Sequence, residues 1–366
     1  MKSCPIILSA LLWVSSSIKL QAPKNDARFW NRNRILMDEP RGQWPDDAVN
    51  SPYVGPWSYW YRTKGMQTST DDVIVAFVAA YPDLDENSRT PSISSFRKSS
   101  NAEIRCYADL GCGIGSTLLL VAHLLRPTKF SIGIEAQEQS ARLLQRTLHE
   151  LPNDAPDVRV AHADLRTVLM DSVNNGTESD TIKPFSILPI ESVAHRETLV
   201  GRCDLITANP PYAALQTGTL CQDAQRRSAR FELRGGIEDY LMTAKAMLSP
   251  SGRFVVAFWS RDDDRVQKAV ESVGDLHVYR RFDVLMGEAD RNDPHLSVYD
   301  IRFKHSSIYP SIPGSEIKIL DITRDRATGG LNKNYEMIKN MLSCASRPLK
   351  RPVGRTSMIP SEVSTS

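Results

Sequence analysis

Apolar positions follow a repeating order through the middle of the chain: a short buried run, then a longer stretch at helical spacing. Val73, Ile74, Phe77 and Val78 line one helical face, and Ser69, Thr70 and Asp71 stand ahead of them as capping residues, which predicts a helix over 68–80. Short apolar runs at 105–110, 130–135, 158–161, 205–208 and 254–259 predict strands. Helical patterns at 116–125, 137–151 and 237–248 fall between them, and Ser249-Pro250-Ser251-Gly252 closes the last with a stop signal. Strands alternating with helices predict an α/β fold built on a doubly wound, mostly parallel sheet. Two further apolar runs, 277–285 and 296–303, are expected to close that sheet as an antiparallel edge pair.

The flanks read differently. Lys2, the apolar run 5–14 and Ser15 to Ser17 predict a targeting segment over 1–22. That run is shorter than the roughly 20 apolar residues a bilayer crossing needs, and no later stretch supplies them, so no stable membrane association is expected. Delivery to a plastid or mitochondrion is the expectation, with the cytoplasm otherwise. Residues 23–59 are rich in Pro, Asn, Asp and Trp and predict a linker or arm ahead of a main domain at 60–345. Within that domain the polar stretch 83–101 reads as a surface loop and about 170–202 as an inserted one. Residues 346–366 read as a disordered basic tail carrying Arg347, Lys350, Arg351 and Arg355.

Composition narrows the chemistry. Of 366 residues 41% are hydrophobic, enough for a full core, and 45 basic against 43 acidic side chains leave a net charge of +2. A dedicated nucleic-acid coat would be far more basic, so contact with RNA must come from local patches. Six cysteines lie scattered with no C-x-x-C spacing, so no zinc or other metal site is expected and the thiols read as free. A monomer is expected.

Asp109-Leu-Gly-Cys-Gly-Ile-Gly115 follows a predicted strand and opens a predicted helix. Gly111, Gly113 and Gly115 let backbone approach a ligand closely. The spacing is G-x-G-x-G, with Ser116 where dinucleotide enzymes place their third glycine. With Asp109 closing the strand, the loop suits a cationic ligand carrying an amino group rather than a diphosphate. Glu135 ends the next strand at the distance that suits ribose hydroxyls, and its carboxylate can accept from both. Asp164, after the third strand, can accept from the exocyclic amine of an adenine. This order resembles the Rossmann-like S-adenosylmethionine methyltransferases. The resemblance implies that Asp109 and Gly111 to Gly115 hold the methionine end of the cofactor, Glu135 its ribose and Asp164 its adenine edge.

Asn209-Pro210-Pro211-Tyr212 sits just past the fourth strand. An exocyclic amino nitrogen is a poor nucleophile because its lone pair is delocalised. Two acceptors aimed at its N–H groups, the Asn209 side-chain oxygen and the Pro210 carbonyl, can draw it toward tetrahedral geometry. The prolines fix φ and hold that carbonyl rigidly. Tyr212 offers a flat face to a base. Such catalysis is positioning and electrostatics, with no strong base required.

More narrowly, residues from about 60 to 342 resemble the bacterial tRNA adenine-N6 methyltransferases that modify valine tRNA beside the anticodon. The supporting segments are Lys64-Gly-Met-Gln-Thr-Ser-Thr-Asp71, Ser228-Ala-Arg-Phe-Glu232, the 237–248 helix, Ile319-Leu-Asp-Ile322 and Leu331-Asn-Lys-Asn-Tyr335. That resemblance implies that Thr70 and Asp71 help close the cofactor pocket, that Arg227 and Arg230 face RNA, and that the substrate is an unpaired adenine, foremost in tRNA. Further basic candidates for phosphate contact are Arg226, Arg234, Arg280 and Arg281. Phe231 departs from the family, standing where a histidine is expected, as do the 170–202 insertion and the extended termini. Three alternatives share parts of this pattern: a glutamine-N5 methyltransferase acting on a release factor, a DNA adenine methyltransferase, and a non-catalytic RNA-binding relative. The glutamine enzymes usually carry a helical domain ahead of the glycine loop, unlike the Pro- and Ser-rich stretch 23–100.

Overall fold

The computed structural model describes residues 44–52, 55–84, 96–97, 103–166, 199–214, 221–287, 294–305, 316–323 and 332–343. The expected targeting segment, most of the arm before residue 44, the bulk of the 170–202 insertion and the basic tail lie outside the described residues.

Among the described residues eight strands form the main sheet. In chain order these are β5 (Cys106–Leu110), β6 (Phe130–Glu135), β7 (Val158–His162), β8 (Cys203–Ala208), β9 (Leu248–Trp259), β10 (Leu276–Leu285), β11 (Leu296–Phe303) and β12 (Glu316–Asp321). Across the sheet they lie in the order β12-β10-β11-β9-β8-β5-β6-β7. Every residue of β5 and β6 is buried, as expected of parallel strands covered on both faces. Only β11 runs against the rest, antiparallel to both β9 and β10. The predicted antiparallel pair forms, but β12 adds in parallel outside β10 and becomes the edge. It holds by alternation: Lys318 and Leu320 are buried while Ile317 and Ile319 are exposed.

Helices cover both faces. α1 (Thr70–Ala80), α2 (Ser116–Leu125), α3 (Glu138–His149) and the late helix α7 (Lys333–Leu342) supply one apolar cluster. The opposite cluster is built on α5 (Ile237–Met247) and α6 (Asp263–Val273), while α4 (Ala224–Arg230) is a short helix between β8 and α5. α1 departs from the amphipathic expectation: every residue from Val73 to Ala80 is buried. A helix apolar all round belongs inside the protein. α5 ends at Met247 as its stop signal predicts, but extended chain begins at once with Leu248, which pairs with Cys203.

Two further departures concern the flanks of this core. Part of the predicted arm is a hairpin, β1 (Ala48–Pro52) with β2 (Ser58–Arg62), laid against α3. There the Trp60 amide donates to Thr147 Oγ1 at 3.0 Å and its indole to Glu150 at 2.8 Å. Part of the predicted loop 83–101 likewise pairs as the two-residue strands β3 (Asp83–Leu84) and β4 (Phe96–Arg97). Arg280 and Arg281 are not phosphate contacts on an open surface. Arg280 is buried and donates to the Pro82 carbonyl at 2.8 Å, just past α1. Arg281 pairs with Asp283 at 2.6 Å and Asp263 at 2.7 Å. Carbonyls near a helix end need donors, and Arg253 likewise donates to the Ala79 carbonyl.

Candidate functional site

β5 is bonded to β6 on one side and β8 on the other, so the strand order reverses there. A crevice opens at the carboxyl ends of strands at such a point. Asp109 and the glycine loop leave from β5, Glu135 ends β6, and Asn209 follows β8. Chain order therefore gathers these three segments at one place.

The loop is tied down and turned outward. The amides of Gly111 and Cys112 donate to the Ile134 carbonyl at 2.8 and 3.1 Å. Gly113 has φ +56° and open space where a side chain would begin. Gly111, at φ +66°, has no room for one: its Cβ would stand 2.5 Å from the Tyr240 hydroxyl. Gly115, at φ +88°, caps α2. Glu135 is buried and receives two backbone donors, Gly113 N at 2.8 Å and Gln137 N at 2.6 Å. Those bonds oppose the rise in its pKa that burial causes. They also aim the carboxylate, leaving lone pairs on both oxygens for further donors.

Asp109 is reached by a relay. Thr207 Oγ1 donates to Asp109 Oδ1 at 2.7 Å, so the Tyr107 hydroxyl, 2.7 Å from Thr207, donates in turn to the threonine. Burial pushes the Asp109 carboxyl up to about 8, Thr207 opposes the shift, and the negative charges of Asp72 and Glu135 add to it. A cationic neighbour would favour the ionised form of this buried acid.

Asp164 stands after β7, gripped by Arg166 through Nε at 2.8 Å and Nη2 at 2.5 Å. An adenine amine would have to share an acceptor already engaged by a guanidinium.

The second half of the crevice forms where α1 begins. Ser69 caps the helix reciprocally with Asp72: the Ser69 amide donates to Asp72 Oδ2 at 2.8 Å, and the Asp72 amide to Ser69 Oγ at 3.3 Å. Asp72 Oδ1 is left to accept from Asn209 Nδ2 at 2.9 Å. With its nitrogen held there, the Asn209 amide turns its oxygen the other way, where it accepts from the Tyr212 hydroxyl. That hydroxyl also lies 3.1 Å from Asp71 Oδ2. Burial and the adjacent Asp72 push Asp71 up to about 6, and the Tyr212 bond opposes them. Burial raises Tyr212 itself well above the usual phenol range, so it remains a donor. Its ring meets Phe258 edge-on at 5.5 Å and Trp259 at 5.6 Å. Pro210 is buried, Pro211 half-buried, and Thr70 opens α1 half-buried. Thr68 Oγ1 and Ser116 Oγ, 2.7 Å apart, join this end of α1 to the glycine loop.

α4 flanks the Asn209 turn. The amide of Ala213 donates to the Arg230 carbonyl at 3.0 Å, and Ala213 bridges to Phe231. Arg226 and Arg230 are exposed and Arg227 half-buried on this helix. Its cap, Asp223, pairs with Arg62 at 2.9 Å. After it, Glu232 is clamped by Arg265 at 2.7 Å.

The structure thus brings together Asp71, Asn209 and Tyr212, and separately Asp109, the glycines and Glu135. Sequence reading missed Asp72, Thr207 and Tyr107. Ser69-x-x-Asp72 was legible as a capping box, but its second partner lies 137 residues away. Among the described residues no group of His, Cys, Asp or Glu is placed to hold a metal ion, and no helix is long and apolar enough to cross a membrane. Cys112 and Cys203 are buried free thiols.

No protein-family profile matches the chain. A tRNA1(Val) (adenine(37)-N6)-methyltransferase of Dickeya chrysanthemi is 28% identical over 148 residues, which are 40% of this chain and 47% of that protein. The chain thus spans about half the length of the curated relative it matches. Among solved structures, a predicted O-methyltransferase of Agrobacterium tumefaciens is similar with a TM-score of 0.42 and 15% identity, over 75% of this chain and 97% of that one. P. horikoshii TYW2 in complex with MeSAdo gives a TM-score of 0.39 and 13% identity, over 71% and 73%.

Proposed function

We propose that this protein is an S-adenosylmethionine-dependent methyltransferase acting on the exocyclic N6 of an adenine in RNA, with tRNA the foremost substrate. The observation that carries the reading is the Asn209 amide, anchored by Asp72 so that its oxygen faces Tyr212 beside the acid-lined glycine loop. The partial match to a protein named as a tRNA adenine-N6 methyltransferase supports it.

The donor cradle fits a cation. Asp109 and Glu135 are both buried, and Gly113 leaves the loop face open. In this reading Asp109 and the loop amides hold the amino-acid end, Glu135 accepts from the ribose hydroxyls, and Asp164 with Arg166 borders the purine. Thr70 and Asp71, at the start of α1, border the same crevice. When bound, S-adenosylmethionine supplies a methyl group on a positively charged sulfur.

The acceptor side follows from the hydrogen bonds. The Tyr212 hydroxyl has one proton and two acceptors within reach, Asn209 Oδ1 and Asp71 Oδ2. An entering adenine amine takes over Asn209 Oδ1, and the Tyr212 proton turns to Asp71. The Pro210 carbonyl accepts the second N–H. Held by these two acceptors, the amine nitrogen would present its lone pair to the methyl group that the sulfonium supplies, and would give up one proton to water on being methylated. The arginines of α4, half-buried Arg227 and exposed Arg230 foremost, supply phosphate contacts beside the turn.

A glutamine amide could use the same acceptors. Ahead of β5, however, the described residues form two small β-pairs and the buried helix α1, without the helical domain that reading calls for. Mass spectrometry of nucleosides from total RNA, with and without the gene, tests the proposal. Loss of N6-methyladenosine with the gene supports it; an unchanged nucleoside profile contradicts it.

A further inference from the structure

We propose that Tyr240 is a donor-binding residue whose hydroxyl hydrogen-bonds a ring nitrogen of the donor's purine; this rests on the methyltransferase reading above. Tyr240 lies in the first turns of α5, whose start is fixed by Gly236 N donating to Asp239 Oδ2 at 3.0 Å. Its side chain runs beneath the glycine loop. The residue is only 6% exposed, and its hydroxyl stands 2.5 Å from where a Cβ on Gly111 would be. Position 111 therefore has to be glycine for this hydroxyl to sit where it does.

The surroundings decide what the hydroxyl is for. Among the described residues this hydroxyl makes no hydrogen bond, and it is not one of the polar atoms sealed inside the protein, so its tip is open to the crevice. Its electrostatic neighbours are Glu135, Asp164, Asp109 and Asp239. Burial and their charges keep it protonated, so it acts as a donor. Two other donors at this end of the crevice are already engaged, Gly113 N on Glu135 and Arg166 on Asp164. A nucleoside brings both kinds of group. Its ribose hydroxyls and exocyclic amine are donors that suit the carboxylates. Its ring nitrogens are acceptors, and Tyr240 meets that need.

Titration calorimetry on the full chain tests this, using S-adenosylhomocysteine and its 1-, 3- and 7-deaza analogues against wild type and Tyr240→Phe. The phenylalanine keeps the ring packing, and an unchanged melting midpoint verifies the fold. Tyr240→Phe is expected to weaken S-adenosylhomocysteine by roughly three- to tenfold, the size of one net hydrogen bond. One deaza analogue should lose a similar factor on wild type and nothing further on the variant. A merely structural tyrosine would not produce that matched loss. Equal affinity of both proteins for S-adenosylhomocysteine, or the same deaza penalties in both, overturns the assignment and leaves the methyltransferase reading standing. Failure of wild type to bind S-adenosylhomocysteine at all overturns both.

Discussion

Asp72 Oδ1 accepts a hydrogen bond from Asn209 Nδ2 at 2.9 Å, across 137 residues of chain. The same carboxylate caps α1 through the Ser69 amide. One side chain thus fixes both where the helix starts and which way the asparagine amide faces. Asp72→Ala should lower methyl transfer roughly 100-fold, the scale seen when a pre-aimed polar group is removed. It should cost about 1 kcal/mol of stability through the missing cap. Single-turnover methylation and denaturant melts measure the two effects, and donor affinity should change less than the rate.

Glu135→Ala removes an acceptor for ribose and the anchor of the Gly113 amide together. S-adenosylhomocysteine affinity should fall by at least about tenfold, equivalent to roughly 1.4 kcal/mol. Calorimetry checks this, and unchanged affinity would show that the ribose lies elsewhere.

Donor binding should depend on pH through Asp109. With its carboxyl at about 8, the ligand-free folded protein holds a proton there that the unfolded chain has released. Stability from this group therefore declines as pH rises from its ordinary value of 3.8 toward about 8. A cationic donor favours the ionised form, so affinity should rise with pH up to about 8, by at most about tenfold per unit, and level above it. Asp109→Asn should flatten the profile. Calorimetry at several pH values decides it, and a flat wild-type profile would contradict the placement of the cation.

The basic side chains divide into two kinds. Reversing Arg227 and Arg230 to glutamate should weaken RNA binding across sequences and lower the salt slope by about one for every phosphate no longer neutralised. Replacing Arg280 or Arg281 should lower the melting temperature instead, because these are committed to Pro82 and to Asp283 and Asp263. Filter binding over a salt series and thermal melts separate the two outcomes.

The strand–loop–helix from β5 to α2 was legible because β5 and β6, buried throughout, read as unbroken runs ending in glycines and an acid. Asn209 and Tyr212 were legible as a proline-stiffened turn at a strand end. What was hidden is tertiary. Arg280 and Arg281 read as surface charge because nothing local reveals that α1 ends beside one of them and α6 begins beside the other. The β1–β2 hairpin was hidden by its Pro, Asn and Ser content, which masks strands stabilised by packing Trp60 on α3. Nothing local marks Tyr240 within the 237–248 helix, because only the tertiary fold sets its hydroxyl against Gly111.

Everything turns on the Asn209 oxygen acting on an adenine amine. The most direct measurement incubates the protein with S-adenosylmethionine and unmodified tRNA transcripts, then quantifies N6-methyladenosine by mass spectrometry for wild type and Asn209→Ala, with S-adenosylhomocysteine affinity measured on both. The account predicts methylated adenosine from wild type, none above background from the variant, and near-equal donor affinity. Undiminished N6-methyladenosine from Asn209→Ala would contradict it.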